Sequence, residues 1–191
     1  MPILMTLQAL GATAEQYDRT NEILGIHSDA DAPDGLIQHV AGIFDDGVVV
    51  FDVWESEEKL NAFFTSRLAA ALKEAGVPDS QPVIEQVHNL IAPGGSETAG
   101  VIMELHVDAD ADIYDAMASE MPSHQNPPSE GPWFSHTAAI TSTGRLHVVD
   151  VWESAEAFGA FAQAEIAPAA QGRMDEITPR FIPVHNVIRG K

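Results

Sequence analysis

The sequence predicts an α+β fold in which two ferredoxin-like β-α-β-β-α-β repeats form one pseudo-twofold α+β barrel. Internal self-similarity is the first sign. Phe51-Asp52-Val53-Trp54-Glu55-Ser56 recurs as Val149-Asp150-Val151-Trp152-Glu153-Ser154, and Val87-His88-Asn89-Leu90 recurs as Val184-His185-Asn186-Val187. The chain has 2 tyrosines, Tyr17 and Tyr114, each followed by Asp. Their spacing is shared by the pairs His27 and His124, and His39 and His136. The second sign is that each half reads as the same string of elements. The third is the run Val48, Val49, Val50, Phe51 and Val53, whose strand is apolar on both sides. A strand of that kind is buried on both faces. The helices cover one face of each sheet, so the other copy is the natural cover for the second.

The elements follow in order. Ile3 to Leu10 and Val101 to Val107 read as first strands. Thr13, with Gln16 three residues on, forms a capping box for the first helix, and Asp110 opens its counterpart. Loops at Gly25 to Gly35 and Pro122 to Pro132 lead to a pair of strands. Asp46-Gly47 marks the hairpin between them, replaced by Thr143-Gly144 in the second half, where one residue is inserted near Arg145. Ser56 and Ser154 are N-caps of the next helix. In the first half that helix runs to Gly76; in the second, Pro168 is expected to break or kink it earlier. Last strands span Val83 to Ile91 and Arg180 to Ile188. The repeats are placed at 1–93 and 98–191, with 94–97 as the linker inside Ala92-Pro93-Gly94-Gly95-Ser96.

Composition narrows the function. With 191 residues and 45% hydrophobic residues, the chain can build a substantial core. A formal charge of −20 repels phosphate backbones and anionic lipid, so neither nucleic acid nor membrane is expected as a partner. The 0 cysteines exclude thiolate catalysis, disulfides and Cys-bound metal. MPILMTLQAL has no basic stretch of a secretory signal, and no apolar run approaches a membrane span. A cytoplasmic protein with a small-molecule substrate is expected. A homodimer of the whole chain is left open.

The Asp-Val-Trp-Glu-Ser segments at Asp52 and Asp150, with Phe63, Phe158 and Phe161 in the following helices, resemble the dimeric α+β barrel superfamily. The likeness is greatest to its antibiotic-biosynthesis-monooxygenase-like branch and covers both halves. The family's members include cofactor-independent oxygenases of polyketide quinols, haem-degrading enzymes and cyclases, most of them homodimers of one unit. The resemblance implies that this chain carries such a dimer in one polypeptide. The haem-degrading members use an Asn on the first strand, the Trp at this junction and a His in the next helix. Trp54 and Trp152 match, but Gln8 and His106 replace the Asn, and Phe63-Phe64 and Phe161-Ala162 stand where the His belongs. No haem and no other bound cofactor is therefore expected.

His39, His136, His88 and His185 are the candidate catalytic bases, because each recurs in both halves and imidazole exchanges protons near neutral pH. In a closed barrel the second strand of one copy lies beside the last strand of the other. His39 should then approach His185, and His136 should approach His88, facing the barrel cavity. Trp54 and Trp152, with Asp52 and Asp150 on the same strand faces, are candidates to hold substrate; a carboxylate in an apolar strand needs a partner. Asn89 and Asn186 alternate with the histidines and are expected on the opposite face. Tyr17 and Tyr114 share a helix stripe with core residues and complete the candidate substrate-binding set. His27 and His124 read as solvated loop residues. No metal is assigned: ligand spacings such as HxH are missing, and His106 and His147 have no His counterpart in the other half. Gly-rich phosphate loops and serine-nucleophile motifs are also missing. The expected function is a monooxygenase-like enzyme acting on an aromatic or polyketide-like substrate without bound cofactor, with His as base. The alternatives are a non-catalytic ligand-binding or stress-related barrel, and a cyclase or isomerase on the same scaffold.

Overall fold

A computed structural model describes residues 1–92, 98–127, 132–170 and 177–190. The linker expected at 94–97 lies outside them. The element string occurs twice. The first half comprises β1 (Ile3–Leu10), α1 (Ala14–Leu24), β2 (Leu36–Phe44), β3 (Gly47–Trp54), α2 (Glu57–Phe63), α3 (Ala69–Ala75) and β4 (Val83–Ile91). The second comprises β5 (Val101–Val107), α4 (Ala111–Ser119), α5 (Pro122–Gln125), β6 (Trp133–Ile140), β7 (Leu146–Trp152), α6 (Ala155–Phe161), α7 (Ala167–Ala169) and β8 (Arg180–Arg189). The strands close into a barrel in the order β1-β3-β2-β8-β5-β7-β6-β4. Every strand pairing described is antiparallel.

The chain packs as two compact units, Met1–Glu85 with Val184–Lys191, and Gln86–Pro183. The end of β8 thus completes the first unit against β2, and the end of β4 completes the second against β6. In the first unit, Ile3, Met5, Leu24, Leu36, Trp54, Leu60 and Ile188 form the core between sheet and helices. In the second, Met103, Leu105, Tyr114, Trp133, Trp152 and Phe158 do the same.

The local signals act as read. Thr13 and Gln16 make the reciprocal capping box of α1. Asp110 accepts from the Ile113 amide, Ser56 from Lys59 and Ser154 from Ala157. Gly76 ends α3 in the left-handed conformation at φ 72°. Between α2 and α3 lies a π-helical turn, Phe64–Leu68, and between α6 and α7 lies another, Ala162–Ile166. Pro168 was expected to interrupt the second helix, but the first carries the same π turn without a proline. The widened turn therefore does not depend on the proline, and Pro168 sits two residues after it, in the short α7 that ends at Ala169.

Two bulges set which way the last strands aim their side chains. On β8 the pairing with β2 steps from Ala41↔Asn186 to Gly42↔Val184, leaving His185 bulged. On β4 the pairing with β6 steps from Val87↔Ala139 to Asn89↔Ala138, leaving His88 bulged. An extra residue in one strand breaks the alternation of faces, so neighbours can project to the same side.

The β2–β3 hairpin closes against β1. A Cβ on Gly47 would lie 2.3 Å from the Ala9 carbonyl oxygen, at φ +155°, whereas one on Gly144 (φ +79°) meets nothing within 4 Å. Gly47→Ala is expected to lower the unfolding free energy by about 2–4 kcal/mol, and Gly144→Ala by only about 1 kcal/mol. Urea titration of the two variants checks the difference.

Candidate active site

The site starts from cross-strand neighbours. His39 on β2 pairs directly with Asp52 on β3, so both side chains leave the same face a few ångströms apart. His39 Nδ1 lies 2.7 Å from Asp52 Oδ1. Trp54, two residues along the same face, donates its indole Nε1–H to Asp52 Oδ2 at 3.3 Å. The carboxylate only accepts, which puts the imidazole proton on Nδ1 and leaves Nε2 as an acceptor. The Tyr17 hydroxyl, from the buried stripe of α1, fills that acceptor at 2.6 Å. The bulge on β8 aims Asn186 at the same hydroxyl, where Nδ2 donates to the Tyr17 oxygen at 2.8 Å. Each bond fixes the direction of the next, in the order Asn186, Tyr17, His39, Asp52.

The second unit builds the same chain. His136 and Asp150 are cross-strand partners on β6 and β7, with Nδ1 to Oδ1 at 2.7 Å. Tyr114 donates to His136 Nε2 at 2.7 Å, and Asn89 donates to the Tyr114 oxygen at 2.8 Å. His136 and Asp150 are each only 5% exposed at the side chain, against 15% and 8% for His39 and Asp52, so the second relay is the drier of the two. Outside each relay stands a His–Asp hydrogen bond nearer the surface. His185 Nε2 meets Asp18 Oδ1 and His88 Nε2 meets Asp115 Oδ1, both at 2.7 Å. The rings of His185 and His88 stand edge-on to Tyr17 and Tyr114 at 5.3 and 5.5 Å.

Each relay opens into a cavity between the sheet and its helices. The first, about 90 Å³, is lined by Met5, Leu7, Val50, Phe63 and Leu68 around Tyr17, His39 and Asp52. The second, about 100 Å³, has Met103, Leu105, Met117, Phe161 and Ile166 around Tyr114, His136, His124 and Asp150. The π turns supply Leu68 and Ile166 to the two linings. Burial pushes the Tyr17 phenol up to about 12 against the hydrogen bonds from Asn186 and Asn21, and it pushes Tyr114 up as well. Both are neutral hydroxyls at pH 7.

All twelve candidate residues gather at these two places, with three corrections. The histidines do not face the barrel interior: they lie on the helix side of the sheet, because His39 shares the face of Asp52 and Trp54. Asn186 and Asn89 are not opposite His185 and His88, because the bulges turn both members of each pair toward α1 or α4. His124 is not a solvated loop residue. It lies on α5 and packs edge-on against His136 at 4.9 Å and on Trp133 at 5.5 Å. Burial, then the nearby His136, lowers its pKa to about 4. The polar, proline-containing segment around it reads as a solvated loop, which holds for the exposed His27 but not for His124. The clefts differ elsewhere too. Trp133, where the first unit has Leu36, stacks on Trp152 at 5.6 Å. Among the described residues, the buried indole nitrogens of Trp133 and Trp152 have no hydrogen-bond partner, unlike that of Trp54.

Neither cleft fits a haem. Phe63 packs on Trp54 at 5.5 Å and Phe161 on Trp152 at 5.0 Å where an axial His would stand. The imidazoles of His39 and His136 already have both nitrogens engaged. Among the described residues no helix is long and apolar enough to cross a membrane.

The architecture defines a class: a ferredoxin-fold α+β barrel with a cleft under the helices of each unit. No protein-family model matches the chain, and no curated protein does either. Solved structures do match. A candidate monooxygenase from Lactobacillus acidophilus superposes with a TM-score of 0.68 at 10% identity, over 98% of this chain and 96% of its own. A ferredoxin-fold protein related to antibiotic biosynthesis monooxygenases, from Listeria monocytogenes, gives a TM-score of 0.53 at 9% identity, over 97% and 96%. An anthrone oxidase-like protein gives 0.54 at 15% identity, over 98% and 92%. At these identities the likeness is one of fold.

His124 makes the second cleft sensitive to acid. Its pKa falls from 6.5 to about 4 on folding, so the unfolded chain binds the proton first as pH drops. Stability from this group is complete above pH 6.5 and falls between 6.5 and 4. The slope corresponds to about one proton taken up on unfolding. His124→Phe is expected to remove that part of the slope when urea midpoints are measured across this range.

Proposed function

We propose that the chain is an enzyme that removes a proton from a small aromatic carbon acid or phenol and lets the resulting anion react with dioxygen. The observation that carries this is the Tyr17 hydroxyl held between Asn186 and His39, backed by Asp52 and facing an apolar cleft. The same arrangement at Tyr114 argues for two working clefts in one fused, duplicated polypeptide. The resemblance to monooxygenase-like folds supports the reading, and the anthrone oxidase-like neighbour suggests anthrone-type substrates.

The geometry supplies a proton path. The substrate places its acidic C–H or O–H on the Tyr17 oxygen. That oxygen receives the substrate proton while the tyrosine's own proton passes to His39 Nε2. Asp52 stabilises the imidazolium, and Asn186 keeps the phenol oriented. Because burial holds the Tyr17 phenol neutral, it works as a shuttle and the imidazole is the base. An apolar wall leaves the new anion poorly solvated and electron-rich. One electron passes from the anion to dioxygen, and the two radicals combine in a C–O bond. The peroxide takes back the proton from His39 through Tyr17. With an anthrone-type methylene, loss of the second C–H proton then breaks the O–O bond. Hydroxide leaves with that proton as water, so that the methylene and one dioxygen become a ketone carbonyl and one water.

Oxygen uptake and product formation with a panel of anthrones and hydroquinones test the proposal. Tyr17→Phe with Tyr114→Phe is expected to lower kcat by about 10²-fold or more, whereas either change alone leaves the other cleft working. Within one cleft, His39→Ala, Asp52→Asn and Tyr17→Phe should cost the same and not add, since they break one chain of bonds. A panel that is not consumed, or a double Tyr variant with full activity, overturns the reading.

A further inference from the structure

The opposite face of the second unit's sheet carries a cluster that the relays do not use. On β5, Met103, Leu105 and Val107 point into the cleft, so Glu104 and His106 project from the other side. On β7, Leu146, Val148 and Asp150 face the cleft, so His147 joins them on that other side. His106 and His147 are direct cross-strand partners, and their rings stack at 4.1 Å with 17° between the planes. Glu104 Oε1 lies 3.7 Å from His106 Nε2 and 3.6 Å from His147 Nε2. The three ligand atoms lie within 4.8 Å of one another.

We propose that Glu104, His106 and His147 form a binding site for one divalent first-row transition-metal ion. Two imidazole nitrogens and one carboxylate are a standard donor set for Zn²⁺, Co²⁺ or Cu²⁺. The spacing suits an ion better than it suits direct bonds. Separations of 3.6 and 3.7 Å exceed hydrogen-bond length, yet ligands about 2.0–2.2 Å from a shared metal stand roughly 3.3–3.7 Å apart. The carboxylate is also oriented for single-oxygen ligation. Arg180 on β8 donates from Nη1 to Glu104 Oε2 at 3.3 Å, which leaves Oε1 turned to the histidines. The burial is graded in the way an open site needs. The His147 side chain is 2% exposed and that of Glu104 12%, while His106 is 63% exposed, so the remaining coordination positions face solvent on the His106 side. The corresponding positions of the first unit carry Thr6, Gln8 and Val49, which cannot make this set. One ion per chain is therefore expected. The chain's charge of −20 draws cations toward every surface, so the test has to separate this site from diffuse binding.

The experiment titrates the full, metal-stripped chain with Co²⁺ and with Cu²⁺ at physiological salt. Saturation at one Co²⁺ with visible d–d bands is expected, as is a Cu²⁺ paramagnetic resonance spectrum showing coupling to two imidazole nitrogens. His106→Gln changes an exposed residue and keeps the fold. It should weaken binding by about 10–100-fold and reduce the coupling to one nitrogen. Glu104→Gln should weaken Co²⁺ binding to a similar degree. Tyr114→Phe and His136→Ala, in the cleft across the sheet, should leave the titration unchanged. Binding that is undiminished in His106→Gln, that occurs at many equivalent weak sites, or that shows no nitrogen coupling overturns the proposal.

Discussion

Asp52 and Asp150 lie on central strands among valines and tryptophans, where water cannot solvate a carboxylate. Such a group is tolerable only if it finds hydrogen-bond donors. Asp52 meets the requirement with His39 and Trp54, and that choice propagates. The carboxylate fixes the imidazole tautomer. The tautomer demands a hydroxyl donor, which Tyr17 provides from α1. The tyrosine oxygen then accepts from Asn186, and this residue can reach it only because β8 is bulged at His185. One buried charge thus links three strands and a helix, and determines which polar atoms remain in an otherwise apolar cleft.

Much of this was legible in the residues. The repeated Asp-Val-Trp-Glu-Ser segments located the third strands and the cap of the following helix, since cap chemistry is local. The matched spacing of Tyr17 and Tyr114, and of His39 and His136, pointed to the polar residues that meet. The neighbourhood of the second strand and the opposite last strand also followed, because a ferredoxin-like sheet leaves those two as edges. What stayed hidden depended on a single residue of register. Strict alternation assigned Asn186 and His185 to opposite faces, but a bulge adds one residue to one strand, and nothing in Val184-His185-Asn186-Val187 marks it. The same limit placed the histidines inside the barrel. His124 escaped for another reason: its environment is set by Trp133 and His136, which are distant in sequence.

The two clefts differ around a relay of the same four residue types. The first is lined by Leu36 and keeps the Trp54 indole bonded to its aspartate. The second substitutes Trp133, stacks it on Trp152 and adds the neutral His124. Its relay is the drier of the two, and the Trp133–Trp152 stack packs behind it.

The exchange of last strands has a bearing on how the protein is made. Asn186 and His185 belong to the first unit, yet they bond to Tyr17 and Asp18 across sequence separations of 169 and 167 residues. During synthesis, α1, β2 and β3 leave the ribosome long before β8 exists. The first unit must wait with its β2 edge unpaired and its tyrosine without the asparagine, whereas the second unit has Asn89 in hand before β6 appears. Long-range closure of this kind slows folding and leaves an exposed strand edge in the interval. The unit encoded first is therefore the one completed last.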